Sequence, residues 1–341
     1  MNSYSGVWVY AEHRNNVISK STLEIMGKAR ELAGKLGVEL ATVLFGQDVS
    51  HLVSTLAEYG ADRIYLADDE MLKEYKTLPY AKLLTELIGS HRPEIVLFAA
   101  SSLGRDLAPR VAASLRTGLT ANCIDLDIGC FEDKEKGEKL ERILYQIVPA
   151  FGGNVVATIV TPYHRPQIAT VRPGTFPVPA KALGKGEIFH IKVDLRKEDD
   201  KVEVLEVERG PEESELENAR IVIGVGVGAR GPDGVRMLKR LAEALGGTVG
   251  ATRPVVDAGW LPQECMIGES GKTVRPDLYM ACGISGAMHH MVGVRNAKVI
   301  VAINKDSKAP IFEAADYIIV EDMFKIVPKL VEKLGGTDDA L

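Results

Sequence analysis

A strand that runs straight into a glycine-rich loop and then into a helix is the sequence feature that most constrains the fold. Residues 220–231 read RIVIGVGVGARG, and Gly226, Gly228 and Gly231 fall at the spacing G-x-G-x-x-G. The helical pattern of 233–247 follows at once and ends in two glycines. Glycines at this spacing allow a tight turn and a close approach of backbone to a phosphate at the helix N-terminus. The pattern predicts a parallel α/β domain and, taken alone, a nucleotide site.

The rest of the C-terminal half continues the alternation of strands and helices. Strands are expected at 248–252, 277–283, 298–306 and 317–322, and helices at 285–294 and 323–336. Such alternation is typical of a doubly wound, Rossmann-like domain, in which the loops that follow the strands converge on one site. We therefore expect a small C-terminal domain whose ligand site is built from these loops.

The N-terminal part alternates in the same way up to about Thr117. Strands are expected at 6–11, 38–46, 63–67 and 94–101, and helices at 21–36, 49–60, 79–91 and 104–115. Continuous apolar strands joined by helices predict a parallel sheet that is covered on both faces. The fold class is therefore α/β with two doubly wound domains.

Beyond Thr117 the strands follow one another without helices. They are expected at 143–151, 153–161 and 166–172, and a charged run at 132–141 reads as a solvated loop. Prolines separate these strands, which indicates edge positions rather than the centre of a parallel sheet. We predict an antiparallel extension or edge hairpin of the N-terminal sheet.

An acidic stretch joins the two halves. Residues 196–219 are poor in large apolar side chains apart from one short strand predicted at 202–208. A chain of 341 residues is also long enough for two domains. We place the boundary near Gly210, which gives domains 1–210 and 211–341, and residues 212–218 would form a brief helix or a hinge.

Composition argues against several classes of protein. The net charge of −6 gives no basic field for nucleic acid or an anionic membrane. No apolar run approaches the roughly 20 residues of a membrane span, and the first residues do not have the pattern of a signal peptide. The four cysteines form no C-x-x-C pair, so we expect no zinc or iron–sulfur site and a reducing, cytoplasmic location.

Two common nucleotide motifs fail on inspection. An NAD site would need an acidic residue for the ribose after the strand at 248–252, but Thr252 and Arg253 stand there and Pro254 follows. The stretch GESGKT at 268–273 suggests a P-loop, but that motif requires glycine where Met266 stands. The glycines therefore serve a different nucleotide cofactor or none.

Taken together, several longer motifs resemble the alpha subunit of electron transfer flavoprotein. They are VGVGARG, GATRPVVDAGW, GESGKTVRPDLYMACGISGAMHH and AINKDSKAPIFEAADYIIVEDMFKIVP, and their order and spacing match that family from about residue 220 to the end. In the N-terminal part, VLFAASSLGRDLAPRVAASLRTGLTANC and QIATVRPGTF also fit the family. The resemblance thus covers nearly the whole chain.

The resemblance implies a heterodimer with a beta subunit, FAD held mainly by the C-terminal domain, and electron transport between flavoprotein dehydrogenases and another redox partner. It places Arg230 near the pyrophosphate, Thr252 and Arg253 beside the flavin, and the Ser270 hydroxyl at flavin N5. Ser285 and His290 match elements near the pyrophosphate and flavin O2, and Asn304 and Asp322 match adenosine-side contacts. The full candidate set is Arg230, Gly231, Thr252, Arg253, Glu269, Ser270, Gly271, Gly283, Ser285, Gly286, Ala287, His289, His290, Asn304 and Asp322.

The chemistry of these side chains suits that role, although each also has a simpler reading. A guanidinium such as Arg253 would stabilise negative charge on reduced flavin, but it is also typical of an exposed arginine before proline. The Ser270 hydroxyl would bond N5 or merely form a turn. His290 would hydrogen-bond O2 or carry a proton there, or lie on a polar helix face. Asp322 would contact adenosine or cap the last helix.

The chain departs from the family pattern at two positions. The family usually has Gly-Gln-Thr-Gly where this chain has Gly-Glu-Ser-Gly at 268–271, so Glu269 adds a negative charge near the flavin. His289 stands where glutamine is common in the family. The roles of Glu269 and His289 are therefore open.

Alternative functions remain at this point. The chain would also suit an NADH-dependent, electron-bifurcating complex that couples an acyl-CoA dehydrogenase-type flavoprotein to ferredoxin or flavodoxin. The glycine spacing would suit a stand-alone NAD(P)-dependent dehydrogenase, and the N-terminal α/β domain a nucleotide-binding regulatory module. The favoured reading is an electron-carrier subunit rather than a stand-alone catalyst.

Overall fold

The chain divides into two units, each built around its own parallel sheet. The computed structural model describes residues 4–14, 16–150, 155–182, 184–196, 199, 201–207 and 215–334. One unit contains the described residues up to Val207 and the other those from Glu215 onward. The boundary predicted near Gly210 lies outside the described residues, so the division into 1–210 and 211–341 stays a proposal.

The first unit contains twelve strands and four α-helices among the described residues. The strands are β1 (Val7–Tyr10), β2 (His13–Arg14), β3 (Val17–Ile18), β4 (Leu40–Gly46), β5 (Arg63–Asp68), β6 (Ile95–Ala99), β7 (Leu119–Cys123), β8 (Asp125–Asp133), β9 (Glu138–Ala150), β10 (Val155–Ile159), β11 (Gln167–Val171) and β12 (Glu187–His190). The helices are α1 (Lys20–Leu36), α2 (Val53–Glu58), α3 (Thr77–His91) and α4 (Ser102–Leu115).

A seven-stranded sheet in the order β12-β5-β4-β1-β6-β11-β7 organises this unit, and every pairing in it is parallel. Side chains of its central strand alternate between two cores. Val7 and Val9 of β1 enter one apolar cluster, while Trp8 and Tyr10 enter the other. This alternation explains why the strand is apolar throughout, because helices cover both faces of the sheet. The parallel doubly wound fold expected from the sequence is confirmed.

The antiparallel strands are also present, but they form a separate three-stranded sheet, and its membership differs from the prediction. It consists of β10, β9 and β8, and only residues 134–137 of the charged run form the turn between β8 and β9. The predicted solvated loop at 132–141 is therefore too long. The predicted strand at 166–172 instead enters the main sheet as β11, parallel to β6 and β7. All five residues of β11 are buried. Pro166 and Pro173 lie just outside the strand, so they do not interrupt its pairing.

The edge of the main sheet also differs from the prediction. The described residues 201–207 contain no strand, so the short strand predicted at 202–208 is wrong over that range. The edge is formed by β12, which pairs with β5. There the Phe189 ring lies 5.5 Å from the ring of Tyr65, and this contact holds an otherwise exposed strand in place.

The second unit is a five-stranded parallel sheet in the order β14-β13-β15-β16-β17. Its strands are β13 (Ile221–Val225), β14 (Thr248–Ala251), β15 (Leu278–Cys282), β16 (Val299–Asn304) and β17 (Tyr317–Val320). Its helices are α5 (Glu215–Asn218), α6 (Pro232–Ala244), α7 (Arg253–Asp257), α8 (Met288–Met291) and α9 (Met323–Lys333).

The strand order of this unit identifies where a ligand binds. The first strand, β13, lies between the second, β14, and the third, β15, so the chain reverses direction across the sheet between β13 and β15. In doubly wound domains, ligands bind beyond the carboxyl ends of the strands at this topological switch point. The helix predicted at 285–294 begins only at Met288 and shortens to α8, because Gly286 has a φ of 91° and Ala287 has a ψ of 138°, neither of which is helical.

A partly buried carboxyl group lies at the carboxyl edge of the first unit's sheet. Glu12 follows β1, and its Oε1 accepts a hydrogen bond of 2.8 Å from the hydroxyl of Ser101, which caps α4. Burial raises the pKa of Glu12 to about 7, although the Ser101 hydrogen bond opposes that shift. The fold therefore favours the protonated carboxyl group.

We expect this carboxyl group to make the first unit less stable as the pH rises from about 4.5 to about 7. Because the pKa of Glu12 is raised in the folded state, the stabilisation is fully present below the unfolded-state pKa of about 4.5. It is lost as the pH rises through the folded-state pKa of about 7, which lowers the free energy of unfolding by about 1 to 3 kcal/mol. Glu12→Gln should remove this slope. Urea unfolding followed by Trp8 fluorescence, in a Trp260→Phe background, measures it, and parallel pH profiles for both proteins would contradict the assignment.

Candidate functional site

A cavity of about 600 Å³ lies at the topological switch point of the second unit. Its size is within the range of about 300 to 1,000 Å³ typical of small-molecule sites. The walls come from the loops that follow β13, β14 and β15 and from the segment between α7 and β15. The lining residues are Gly226, Val227, Thr252, Arg253, Pro254, Met266, Ile267, Gly268, Glu269, Ser270, Gly283, Ile284, Ser285, Ala287, His289 and His290.

Glycines let two of these loops pack backbone against backbone. The Gly226 N–H donates to the Cys282 carbonyl at 3.0 Å, and the Gly228 N–H donates to the Gly283 carbonyl at 3.1 Å. A Cβ atom at Gly226 would overlap the Gly283 carbonyl oxygen, and Gly283 itself has a φ of 63°. The approach therefore requires glycine on both sides. It leaves room beyond the strand ends, which is where the cavity lies.

A compact turn at 266–272 carries Ser270 to the cavity wall. The Gly268 N–H donates to the Lys272 carbonyl at 3.1 Å, and the Lys272 N–H donates to the Met266 carbonyl at 2.7 Å. A Cβ atom at Gly271 would collide with the Met266 carbonyl, so this glycine shapes the turn and does not itself line the cavity. The turn brings Ser270 to the cavity wall.

Arg253 and Thr252 begin the short helix α7 at the cavity wall. The Thr252 N–H donates to the Val225 carbonyl at 3.0 Å, which extends the β13–β14 pairing by one residue. The Arg253 side chain is 70% exposed, and its Nε lies 3.4 Å from Oδ2 of Asp257. The guanidinium therefore keeps donors available for a ligand.

His290 is held on both of its ring nitrogens by the protein. Its Nδ1 lies 3.1 Å from the Ile267 carbonyl oxygen, and its Nε2 lies 2.7 Å from the hydroxyl of Tyr279. A carbonyl only accepts, so Nδ1 carries the hydrogen and Nε2 accepts from the tyrosine. Burial lowers the pKa of His290 to about 4, although the bond to Ile267 opposes that shift. This histidine is therefore neutral near pH 7.

Glu269 and His289 contact each other across the cavity wall. Oε2 of Glu269 lies 2.6 Å from Nδ1 of His289, and the Glu269 N–H donates to the His289 carbonyl at 2.7 Å. These residues link the 266–272 turn to α8.

Six of the predicted residues do not line the cavity. Arg230 lies 2.6 Å from Asp322, and Asp322 also caps α9 by accepting from the Phe324 N–H. That cap, the largest favourable cause, and Arg230 lower the pKa of Asp322. The Asn304 amide donates to the Ile284 carbonyl at 2.8 Å and so fixes the loop after β15. The six are Arg230, Gly231, Gly271, Gly286, Asn304 and Asp322.

Two of the three glycines among those six residues have distinct roles. A Cβ atom at Gly286 would overlap the Ile311 N–H, so this residue permits a loop contact. Gly231 has a φ of 136°, and a Cβ atom there would meet no atom within 4 Å. The N-terminus of α6 is therefore open to an approaching group, as phosphate binding requires.

Seven lining residues were missing from the predicted set. They are Gly226, Val227, Pro254, Met266, Ile267, Gly268 and Ile284. Most are apolar or glycine neighbours of predicted polar residues, and the motifs that contain them were already conspicuous. The prediction selected mainly residues whose polar groups could bind a cofactor, and it therefore missed the side chains that form the apolar walls.

The part of the chain that the structure describes contains neither a membrane-spanning helix nor a cluster of metal-binding side chains. None of the described helices is long and apolar enough to span a bilayer. No cluster of three or more histidine, cysteine, aspartate or glutamate side chains suited to a metal ion occurs in the described part of the chain.

The fold and the cavity define a nucleotide-binding protein of the doubly wound α/β class. Comparison with known proteins narrows this class. The family model described as "Electron transfer flavoprotein domain" matches residues 7–195, and that described as "Electron transfer flavoprotein FAD-binding domain" matches residues 215–295.

Curated relatives agree over nearly the full length. The chain is 45% identical to electron transfer flavoprotein subunit alpha of Thermoanaerobacterium thermosaccharolyticum, covering 98% of this chain and 99% of that one. It is 42% identical to the subunit of the same name from Clostridium acetobutylicum, covering 98% of each. It is 38% identical to a lactate dehydrogenase (NAD(+),ferredoxin) subunit of Acetobacterium woodii, covering 98% of this chain and 78% of that one. The chain belongs to the electron transfer flavoprotein alpha-subunit family, and FAD is its cofactor.

The residues of the second unit fit FAD. The cavity has the size of a ligand site, hydroxyl and guanidinium groups line it, and the start of α6 is open beside Gly231. An open helix N-terminus accommodates a pyrophosphate, and the apolar wall around Ile267 and Ile284 accommodates a flat ring.

We expect Gly226→Ala to destabilise the second unit by about 2 to 4 kcal/mol, since the new methyl group would overlap the Gly283 carbonyl. FAD retention should fall with it. Denaturant unfolding followed by Trp260 fluorescence measures the loss. Gly34→Ala in α1 is the control, because a Cβ atom there meets nothing within 4 Å. Unchanged unfolding of Gly226→Ala would show that the two loops do not depend on this approach.

Proposed function

We propose that the chain is the FAD-carrying subunit of a heterodimer with an electron transfer flavoprotein beta subunit. It passes electrons between an acyl-CoA dehydrogenase-type flavoprotein and another redox partner. The observation that carries this proposal is the cavity at the switch point, whose polar lining consists of groups that bind and tune a cofactor. The proposed location is the cytoplasm, since all four cysteines are free thiols.

The bound FAD supplies the redox chemistry, and the protein supplies binding, orientation and electrostatics. Arg253 would stabilise negative charge on the reduced ring, because its guanidinium is permanently cationic and lines the cavity. Ser270 and Thr252 would offer hydroxyl groups, which donate or accept as the ring requires. The apolar walls at Ile267 and Ile284 would exclude water from the ring.

His290 would shape the site rather than exchange protons with it. Both of its ring nitrogens are engaged by Tyr279 and the Ile267 carbonyl, and it is neutral near pH 7. A hydrogen bond to flavin O2, as the resemblance implies, would have to replace one of these two bonds.

The phosphate end of the cofactor would lie toward α6. The open N-terminus beside Gly231 provides backbone N–H groups for the pyrophosphate. Arg230 lies two residues before α6 and would add positive charge there, while its guanidinium contacts Asp322 at the start of α9. Asn304 would affect the cofactor only indirectly, because its amide donates to the Ile284 carbonyl and so positions the loop after β15.

Replacing Arg253 with glutamine should lower the midpoint potential of bound FAD, because a cation that favours the reduced cofactor is lost. We expect a fall of about 30 to 60 mV, which is one to two tenfold steps for a two-electron couple. Spectroelectrochemical titration measures the potential. Asp257→Asn is the matched control, since it leaves the guanidinium in place and should shift the potential little or upward. An unchanged potential in Arg253→Gln would contradict the tuning role.

A bifurcating variant of this function is the second candidate. It is supported by the similarity to a relative whose printed name includes NAD(+) and ferredoxin. In such a complex, NADH would supply electron pairs that are divided between an acyl-CoA dehydrogenase or reductase and ferredoxin or flavodoxin.

Cofactor analysis of the purified heterodimer separates the two candidates. The bifurcating variant predicts two FAD per heterodimer, because the beta subunit would hold a second one. One FAD together with one AMP would exclude this variant and leave the simple carrier.

A further inference from the structure

Glu269 has the only carboxylate among the described residues that line the cavity, and this carboxylate contacts the side chain of His289 on another segment. Glu269 lies in the 266–272 turn and His289 in α8, twenty positions along the chain. Two contacts join them: the side chains meet at 2.6 Å, and the Glu269 N–H donates to the His289 carbonyl at 2.7 Å. The backbone contact brings the two side chains to the same part of the wall.

The chemistry of this pair makes its net charge depend on the histidine. The carboxylate only accepts, so Nδ1 of His289 donates the hydrogen bond whether the ring is neutral or cationic. With a cationic ring the pair has no net charge, and with a neutral ring it has a charge of −1. Histidine side chains change charge between about pH 5 and 8.

Exposure limits what the pair contributes to stability. The side chains of Glu269 and His289 are 41% and 73% exposed, and ion pairs this accessible to water stabilise a fold little. Their position on the cavity wall is therefore more informative than their strength. A charge there acts on whatever charge develops within the cavity.

Other ionisable side chains lie near the pair on the neighbouring elements. Among the described lining residues, the other ionisable side chains are Arg253 and His290. Arg253 lies beside Asp257 in α7, and His290 in α8 is buried and neutral near pH 7. Lys272, at the end of the turn, lies 3.9 Å from Glu217. Of these groups, only Glu269 and His289 pair a carboxylate with a histidine on the cavity wall.

We propose that Glu269 and His289 act as one unit that sets the charge of the FAD cavity wall. The histidine cancels a carboxylate that would otherwise oppose the addition of electrons to the cofactor, and together they position the turn that carries Ser270. The inference rests on the proposed function, since it requires FAD in this cavity. It also explains why the chain departs from the family's glutamines at both positions.

Four proteins test the proposal: the wild type, Glu269→Gln, His289→Gln and the double variant, in which both positions have the family's glutamine. The midpoint potential of bound FAD is measured at about pH 5.5 and about pH 8.5, on either side of the histidine range. The intrinsic pH dependence of the flavin is shared by all four, so only differences between proteins are compared.

The expected order differs between the two pH values. At pH 5.5, Glu269→Gln should have the highest potential, the wild type and the double variant should coincide, and His289→Gln should be lowest. At pH 8.5, the wild type should fall to the level of His289→Gln, and the double variant should match Glu269→Gln. Each separation should be a threefold to tenfold change in the reduction equilibrium, at most about 30 mV for a two-electron couple.

A fixed cation provides an independent check. In His289→Arg the pair of side chains stays neutral at both pH values. The midpoint potential of FAD in this variant should therefore equal that in the double variant at pH 5.5 and at pH 8.5. Thermal melting and FAD content are recorded for every protein. A purely structural role would lower the melting temperature and the FAD content without making the differences in potential depend on pH.

The outcomes separate this inference from the proposed function. If the wild type holds no FAD in the second unit, the proposed function fails and the inference fails with it. If all variants hold FAD but their differences in potential are the same at both pH values, or the double variant is lower than the wild type at pH 5.5, only the inference is overturned.

Discussion

The structure of the second unit depends on the contact between the backbones that leave β13 and β15. Gly226 and Gly228 lie against Gly283, and no side chain fits between them. This contact joins the two strands at the point where the sheet reverses its winding. It also leaves the space beyond the strand ends open, so that the loops after β14 and β15 can meet around a cavity. The spacing of these glycines therefore determines the shape of the cavity, and the polar side chains depend on that shape for their positions.

Two adjacent histidines show how the cavity divides its tasks. His290 is buried, its ring nitrogens bond Tyr279 and the Ile267 carbonyl, and burial lowers its pKa to about 4. Its neighbour His289 is exposed and contacts Glu269. One histidine therefore fixes the shape of the wall, whereas the other is the one that we propose sets its charge together with Glu269. Because the protein tunes a redox cofactor mainly by orientation and electrostatics, both tasks bear on electron transfer.

Local patterns predicted much of this architecture, because the alternation of apolar runs and helical periods is encoded over short stretches. The two doubly wound domains follow from it, and the loops after β14 and β15 and the 266–272 turn do lie around one cavity. Residues 228–231 and the loop after β16 were expected there too, but they contribute no lining residue. Long-range pairing could not be read in the same way. The strand predicted at 166–172 enters the main sheet as β11, since its partners β6 and β7 are distant in sequence. Likewise, Glu269 and His289 appeared as two separate departures from the family pattern, and only the folded turn brings them together.

We propose that the cavity of the second unit holds the isoalloxazine ring of FAD beside Arg253 and Ser270. A crystal structure of the chain purified with its flavin and its beta subunit tests this most directly. Ring density is expected within the cavity, with the Arg253 guanidinium and the Ser270 hydroxyl in contact with it and the pyrophosphate at the start of α6. Flavin density elsewhere, with this cavity filled by solvent, would contradict it.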